Sequence, residues 1–326
     1  MKIVIDAMGG DNAPDEIIKG VVEVADEVDA ELILVGIEKV IKEKLEEYDE
    51  KKNITIKNAT EVITMEEVPT KAIKSKKDSS MVVGLNMIKE KEADIFISAG
   101  STGALLTGAL LNVGRIKGIS RPALATVLPS QEDKFLLLDM GANANCKPEY
   151  LAQFAKMGAI YMEKTMGVKN PKVGLVNVGT EEEKGSDLAK SAHKLLKESD
   201  LNFVGNIEGR DLMMGTVDVA VCDGFTGNVI LKTLEGFGLA IFKILGEEIG
   251  KSLKNKVGAL MMKPSLRALK HKMDYSEYGG ALLLGIDGGV IKCHGSSKAK
   301  AVTNAIKQAY EFTKNDTIET IRKQLK

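Results

Sequence analysis

The chain has 326 residues, with 45 Lys+Arg against 46 Asp+Glu, a formal net charge of −1 and 44% hydrophobic residues. The balance excludes a bulk polyanion binder, so contact with nucleic acid or an anionic membrane would need a local patch. The apolar share supports a full core and excludes disorder over most of the length, while 32 Gly against 7 Pro and no Trp point to tight turns and close backbone approaches.

In chain order, MKIVIDAMGG reads directly as a strand, with no secretory leader. No apolar run approaches the roughly 20 residues needed to cross a bilayer. KIVID (2–6), ELILVG (31–36), DIFIS (94–98), KFLLLD (134–139), KVGLVN (172–177) and DVAVC (218–222) are candidate strands. They are nearly continuous apolar runs, as expected for strands covered on both faces. Helices are predicted over 14–28, opening near Pro14, and over 148–167, from Pro148 to Gly167. A third, Thr226 to Lys251, is expected to bury Ile230, Leu234, Phe237, Ile241, Ile244 and Leu245 at helical spacing. The alternation implies an α/β fold with a largely parallel sheet sandwiched by helices. No repeat, and no linker rich in Pro, Ser or charge, divides it. Cys146, Cys222 and Cys293 are odd in number and far apart, match no zinc spacing, and read as reduced buried thiols of a cytoplasmic protein.

Five turns at strand ends are built alike, namely DAMGGD (6–11), SAGSTGA (98–104), DMGAN (139–143), NVGTEEEKGS (177–186) and CDGFTGNV (222–229). Each combines Gly with Asp, Asn, Ser or Thr, and most lead into a helix. Helix starts offer unpaired amides and partial positive charge, and glycine lets an anion approach the backbone. The turns are expected to converge on one edge of the sheet and hold a small anion, with phosphate the best fit.

Other chemistries lack their motifs. There is no P-loop, DAMGGD lacks the dinucleotide glycine spacing, and no G-x-S-x-G elbow is present. Of three histidines, His193 is expected to face solvent, His271 sits among lysines, and only His294, in GGVIKCHG, lies in a glycine-framed turn. Neither a metal nor a cofactor is expected. Phosphate itself can attack an activated acyl group if it is held and oriented. That needs a cation and a donor for the oxyanion forming on the acyl carbonyl. Lys184, between a strand and a helix, and Asn228, at the start of a long helix, are the right residue types. On the residues alone, Lys184 is equally a solvated charge beside Glu181, Glu182 and Glu183.

These motifs, with the late GG-x-x-x-x-HG, run in order over essentially the whole chain and together resemble the PlsX-type phosphate acyltransferases. The resemblance implies a three-layer α/β/α fold like that of isocitrate and isopropylmalate dehydrogenases and phosphotransacetylases, as one domain of two intertwined halves. It implies transfer of a fatty acyl group from acyl-acyl carrier protein to inorganic phosphate, for phospholipid synthesis, by a homodimer. Lys184 and Asn228 match the family's catalytic pair. By chemistry and analogy, Asp6, Gly9, Gly10, Ser98, Gly100, Ser101, Thr102, Gly103, Asn143, Thr180, Gly227 and His294 are candidate phosphate- or substrate-binding residues.

From Lys251 to Met273 there are seven Lys/Arg and no Asp or Glu. Leu253, Val257, Leu260 and Met261 share one helical face; beyond Pro264, Leu266, Leu269 and Met273 share another. Either this hairpin packs into the core, or it protrudes toward anionic lipid or an acidic carrier protein, with Lys254, Lys263 and Arg267 supplying charge. The resemblance implies a cytoplasmic enzyme peripheral to the inner face of the membrane, near the downstream membrane glycerol-3-phosphate acyltransferase. Competing readings are a phosphotransacetylase-like enzyme using coenzyme A, a dehydrogenase of the same fold, and a noncatalytic phospholipid-binding module.

Overall fold

A computed structural model of the chain describes residues 1–273 and 279–325; the side chains of Lys270, His271 and Met273 lie outside that description. The first stretch contains β1 (Lys2–Asp6), α1 (Asp15–Val24), β2 (Glu31–Gly36), α2 (Glu38–Leu45), β3 (Ile54–Asn58), α3 (Pro69–Ser75), α4 (Ser80–Lys89), β4 (Ile95–Ser98) and α5 (Thr102–Gly108). The chain then forms β5 (Ala123–Pro129), β6 (Lys134–Leu138), α6 (Pro148–Lys164), β7 (Val173–Val176), α7 (Asp187–Lys197), β8 (Phe203–Ile207) and β9 (Val219–Val221). The long α8 (Gly224–Gly250) and two shorter helices, α9 (Leu253–Met261) and α10 (Lys263–Met273), follow. The return is made by β10 (Ala281–Leu284), β11 (Gly289–Lys292), α11 (Ala299–Lys314) and α12 (Thr317–Gln324).

The strands form an 11-stranded sheet in the order β3-β2-β1-β4-β11-β10-β5-β6-β9-β7-β8. Alternate residues of each strand feed two separate core layers, because successive side chains point to opposite faces. Ile3, Ile5, Ile97 and Ile291 meet residues of α1, α6, α7, α11 and α12 on one face. Val4, Phe96, Leu137, Val290 and Ala220 meet α3, α4, α5 and the start of α8 on the other. Burying one such aliphatic side chain contributes about 1.5–3 kcal/mol, so both layers are needed to hold the sheet between them.

Strand polarity corrects one expectation. β1, β2, β3, β4 and β11 are mutually parallel. β10 opposes β11, β5 opposes β10 and β6 opposes β5, and β9, β7 and β8 follow the direction of β6. The carboxyl ends of β6, β7 and β9 therefore point to the opposite edge from those of β1, β4 and β11. The five turns do not converge on one edge. They divide into two groups, because three antiparallel pairings sit in the middle of the sheet.

The expectation for α8 also fails in part. Ile230 and Leu234 pack against the second core layer, but Phe237, Ile241, Ile244 and Leu245 are exposed, Phe237 by 61%. Helical spacing identifies an apolar face without saying what covers it, and past its first turns α8 has no facing layer among the described residues. The hairpin α9–α10 stands away from the core: Leu253, Val257, Leu260, Met261 and Leu269 are exposed and Leu266 is half-buried. Lys254, Lys263 and Arg267 are exposed beside them. Lys272 Nζ ties the base of the hairpin to the Gln131 carbonyl at 2.6 Å. Among the described residues, no helix is long and apolar enough to cross a membrane.

Candidate active site

At the first edge, Ser98 is paired with Lys292 across β4 and β11 and lies one residue past the Ile5–Ile97 pair of β1 and β4. Asp6, Ser98 and Lys292 thus form a polar row across three parallel strand ends. Val4, Phe96 and Val290, two residues earlier on each strand, all face the second core layer, so the row faces it too. Ser98 Oγ donates to Asp6 Oδ2 at 2.6 Å and accepts from the Gly100 amide at 3.0 Å. Asp6 also receives the Met8 amide at 3.2 Å. Burial pushes its carboxyl above the usual range, opposed by donors from Ser80, Ser98, Met8 and Gly9.

The glycines bring the two turns together here. A Cβ on Gly9 would lie 2.5 Å from Asp6 Oδ2 and 2.9 Å from the Gly100 nitrogen. Gly10 sits between Ala99 and the Gly295 carbonyl, and Gly103 against Pro69. Ser101 spends its hydroxyl capping the Ala104 amide, and Thr102 is exposed on the rim. His294 is exposed at this edge, its Nδ1 bonded to Ser296 Oγ at 2.8 Å.

At the opposite edge Asp139 follows β6. It is fully buried on the same face as Phe135 and Leu137. Its carboxylate accepts from the Leu124, Ala142 and Asn143 amides at 2.9, 3.1 and 2.7 Å, and from Asn143 Nδ2 at 2.9 Å. Burial raises its pKa, with the Leu124 and Asn143 donors working against that shift. Asn143, expected to meet substrate, is instead committed to Asp139 and to the Pro122 carbonyl at 2.7 Å. Its own carbonyl receives the Gly224 amide at 2.8 Å, which docks the start of α8. Asp223 caps that helix by accepting from the Thr226 amide at 2.9 Å. Gly227 lies so close that a Cβ would be 2.0 Å from the Asp139 carbonyl oxygen. Asn228 comes next. It is exposed, it lies over Gly141, and its side chain makes no hydrogen bond among the described residues.

The 177–186 turn follows β7, whose neighbour β9 leads into α8, so Lys184 and Asn228 leave the same sheet edge. Asn177 Nδ2 donates to the Lys184 carbonyl at 3.0 Å and the Lys184 amide to the Glu181 carbonyl at 3.1 Å. Asn206 Nδ2 also donates to the Glu181 carbonyl, at 2.8 Å. Asn206 Oδ1 must then accept from His193 Nδ1, 3.0 Å away. His193 is 6% exposed and stands edge-on to Phe203 at 5.1 Å. It does not face solvent as expected: it shares the buried stripe of α7 with Ala192 and Leu196. Glu182 pairs with Lys197 at 2.5 Å, and the exposed Lys184 ammonium has no carboxylate partner among the described residues. Thr180 is exposed on the same turn.

The thiols are poorly placed for nucleophilic work. Burial and Asp139 push the Cys146 thiol up to about 11, and burial pushes Cys293 to about 11 and Cys222 well above its ordinary value. No three His, Cys, Asp or Glu among the described residues gather to hold a metal ion. The arrangement leaves a cation and an amide donor free at one sheet edge, each on a turn braced by buried hydrogen bonds. Reading the sequence missed the bracing residues Asp139, Asn206 and His193, and it missed Lys292. The last had a signal, a lysine inside the glycine-framed VIKCHG.

A family model described as "Fatty acid synthesis protein" matches residues 1–320. The "Phosphate acyltransferase" of Clostridium novyi (strain NT) is 53% identical over 327 residues, covering 100% of this chain and 98% of that one. That of Alkaliphilus oremlandii (strain OhILAs) is 53% identical over 322 residues, covering 98% and 96%. Among solved structures, a phosphotransacetylase from Streptococcus pyogenes superposes with a TM-score of 0.64 at 16% identity, covering 96% of this chain and 94% of that one. A putative 4-hydroxythreonine-4-phosphate dehydrogenase from Salmonella typhimurium gives 0.54 at 12%, covering 95% and 98%. At such identities the likeness is one of fold, the three-layer α/β/α arrangement described above.

Proposed function

This chain belongs to the fatty acid synthesis protein family, among relatives named phosphate acyltransferase, and we propose that it moves a fatty acyl group from acyl-acyl carrier protein to inorganic phosphate. The observation that carries the reading is the pair of free polar heads, Lys184 and Asn228, on turns that leave neighbouring strands at one edge. Lys184 holds the phosphate dianion and aims one oxygen at the thioester carbon. As the new C–O bond forms, negative charge develops on the carbonyl oxygen, and the Asn228 amide donates to it. The intermediate collapses by breaking the C–S bond. Acyl phosphate is left, and the carrier thiolate takes up a proton from solvent. Thr180 and Gly227 flank the pair. The turns at the other edge, from Asp6, Gly9 and Gly10 to Ser98–Gly103 and His294, serve as a second substrate-binding rim.

The exposed apolar residues of α8 support a homodimer, and the basic, apolar hairpin supports contact with the anionic inner face of a membrane, where a glycerol-3-phosphate acyltransferase would take the product. Single-residue kinetics test the pair. Asn228→Ala should lower kcat by about 10²–10³ with little change in KM for phosphate, since an oxyanion donor acts mainly in the transition state. Lys184→Ala should raise that KM as well. Should a folded Lys184→Ala work at the wild-type rate, the lysine is only a solvated neighbour of the glutamates. Presenting the acyl group on coenzyme A in place of the carrier protein separates the phosphotransacetylase-like alternative, which predicts the faster rate with coenzyme A.

A further inference from the structure

Lys292 is the buried cation that this mechanism does not use. Its side chain ends the polar row with Asp6 and Ser98 and is only 8% exposed. Its ammonium donates to the backbone carbonyls of Ala99, at 3.4 Å, and of Cys293. Two of its three hydrogens are so accounted for, both by neutral acceptors. No carboxylate touches it among the described residues. The nearest buried one, Asp6, is engaged by Ser98, Ser80 and Met8.

Burial holds this ammonium below the ordinary lysine value; Cys293, Asp11 and Asp6 pull it back up, and Lys232 opposes them. Lys232 stands one helical turn along α8 from Asn228. An effective cost of several kcal/mol attends an ion buried without a counterion. A site that keeps one in spite of that cost is a candidate for function. Asp11 and His294 are exposed nearby, and Gly10 and Gly295 are half-buried.

We propose that Lys292 is the cation of an anion subsite at the carboxyl ends of β1, β4 and β11, and that its ligand is a phosphate group. Two sources share that chemistry: free inorganic phosphate, and the phosphate that links a carrier's pantetheine arm to its protein. The second source rests on the proposed carrier-borne donor; the subsite itself does not. A bound dianion supplies the missing counterion and raises the Lys292 ammonium back toward its ordinary value.

Equilibrium binding separates this from the acyl-transfer reading, because it needs no turnover. The full chain, and its Lys292→Met and Lys292→Gln variants, would be titrated calorimetrically with inorganic phosphate and with 4′-phosphopantetheine, alongside thermal melts. Methionine keeps the stem and removes the charge; glutamine removes the charge but keeps donors for the Ala99 and Cys293 carbonyls. Both variants should bind one of the two probes about 10–100-fold more weakly, as expected for losing a charge-assisted hydrogen bond. Loss toward inorganic phosphate assigns the subsite to free phosphate and moves the nucleophile away from Lys184, and loss confined to 4′-phosphopantetheine assigns it to the donor. If the glutamine variant binds both probes like wild type, Lys292 is only a brace for two carbonyls and the subsite does not exist. A methionine variant that fails to fold leaves the glutamine variant to decide.

Discussion

Gly227→Ala tests whether the docking of α8 sets the reaction rate. The added Cβ would lie 2.0 Å from the Asp139 carbonyl oxygen, 3.0 Å from its carbonyl carbon and 3.0 Å from Cys222 Sγ. Ordinary contact between such atoms is about 3.5–4.0 Å. The first turn of α8 must then retreat by more than about 1 Å, because the obstacle is backbone and Asp139 is pinned by four donors. Overpacking of this kind costs typically 1–3 kcal/mol, which a chain with two full core layers should survive. Asn228, the next residue, moves with the helix. A misplacement of about 1 Å near reacting atoms costs about 10²-fold in rate. Phosphate KM should change little if Lys184, on a different turn, holds the phosphate. The assay is acyl phosphate formation under saturating substrate, with melting to confirm folding. A folded Gly227→Ala protein with wild-type kcat would refute the claim that Asn228 acts from this position.

Three further outcomes are expected. Asn206→Leu, which removes one of the two donors to the Glu181 carbonyl and strands His193 Nδ1, should destabilise the chain by about 1–3 kcal/mol and raise phosphate KM by loosening the Lys184 turn; a lower melting temperature with unchanged KM would make the network purely structural. Replacing Leu253, Val257 and Leu260 with serine should abolish sedimentation with anionic vesicles while leaving the melt within about 0.5 kcal/mol, as for exposed sites; unfolding would mean that this face is core. Lys292 should leave a mark on stability against pH. Its folded pKa lies below the ordinary lysine value, so between the two the unfolded chain binds more protons and stability rises with pH, up to about 10.4. Lys292→Met should flatten that rise in urea midpoints, and an unchanged slope would contradict it.

Most strands buried on both faces were legible because a continuous apolar run needs no partner to be recognised, although β5, buried along nearly its whole length, was passed over. All six candidates, from KIVID to DVAVC, are strands within a residue or two. The edge strands β3 and β8 were not seen because they are partly exposed and mixed in polarity. β10 and β11 are only four residues each and owe their form to neighbours distant in sequence. Local pattern also could not give strand direction. That is why turns of one chemical kind were expected on one edge and are found on two. The same limit explains α8, where spacing marked an apolar face but not its covering, and His193, whose lysine-rich surroundings hid its place on the buried stripe. Lys184 and Asn228 were legible as residue types in turns. Their bracing through Asp139 and Asn206 depends on contacts across tens of residues.

The central claim is most directly tested by reconstitution. Purified chain, acyl-acyl carrier protein and inorganic phosphate would be combined in chelator, with no nucleotide, and both products followed. One acyl phosphate should appear for each carrier thiol released. Thiol release without acyl phosphate would mean that water, not phosphate, attacks, and activity seen only after a divalent ion is restored would contradict a reaction driven by Lys184 and Asn228.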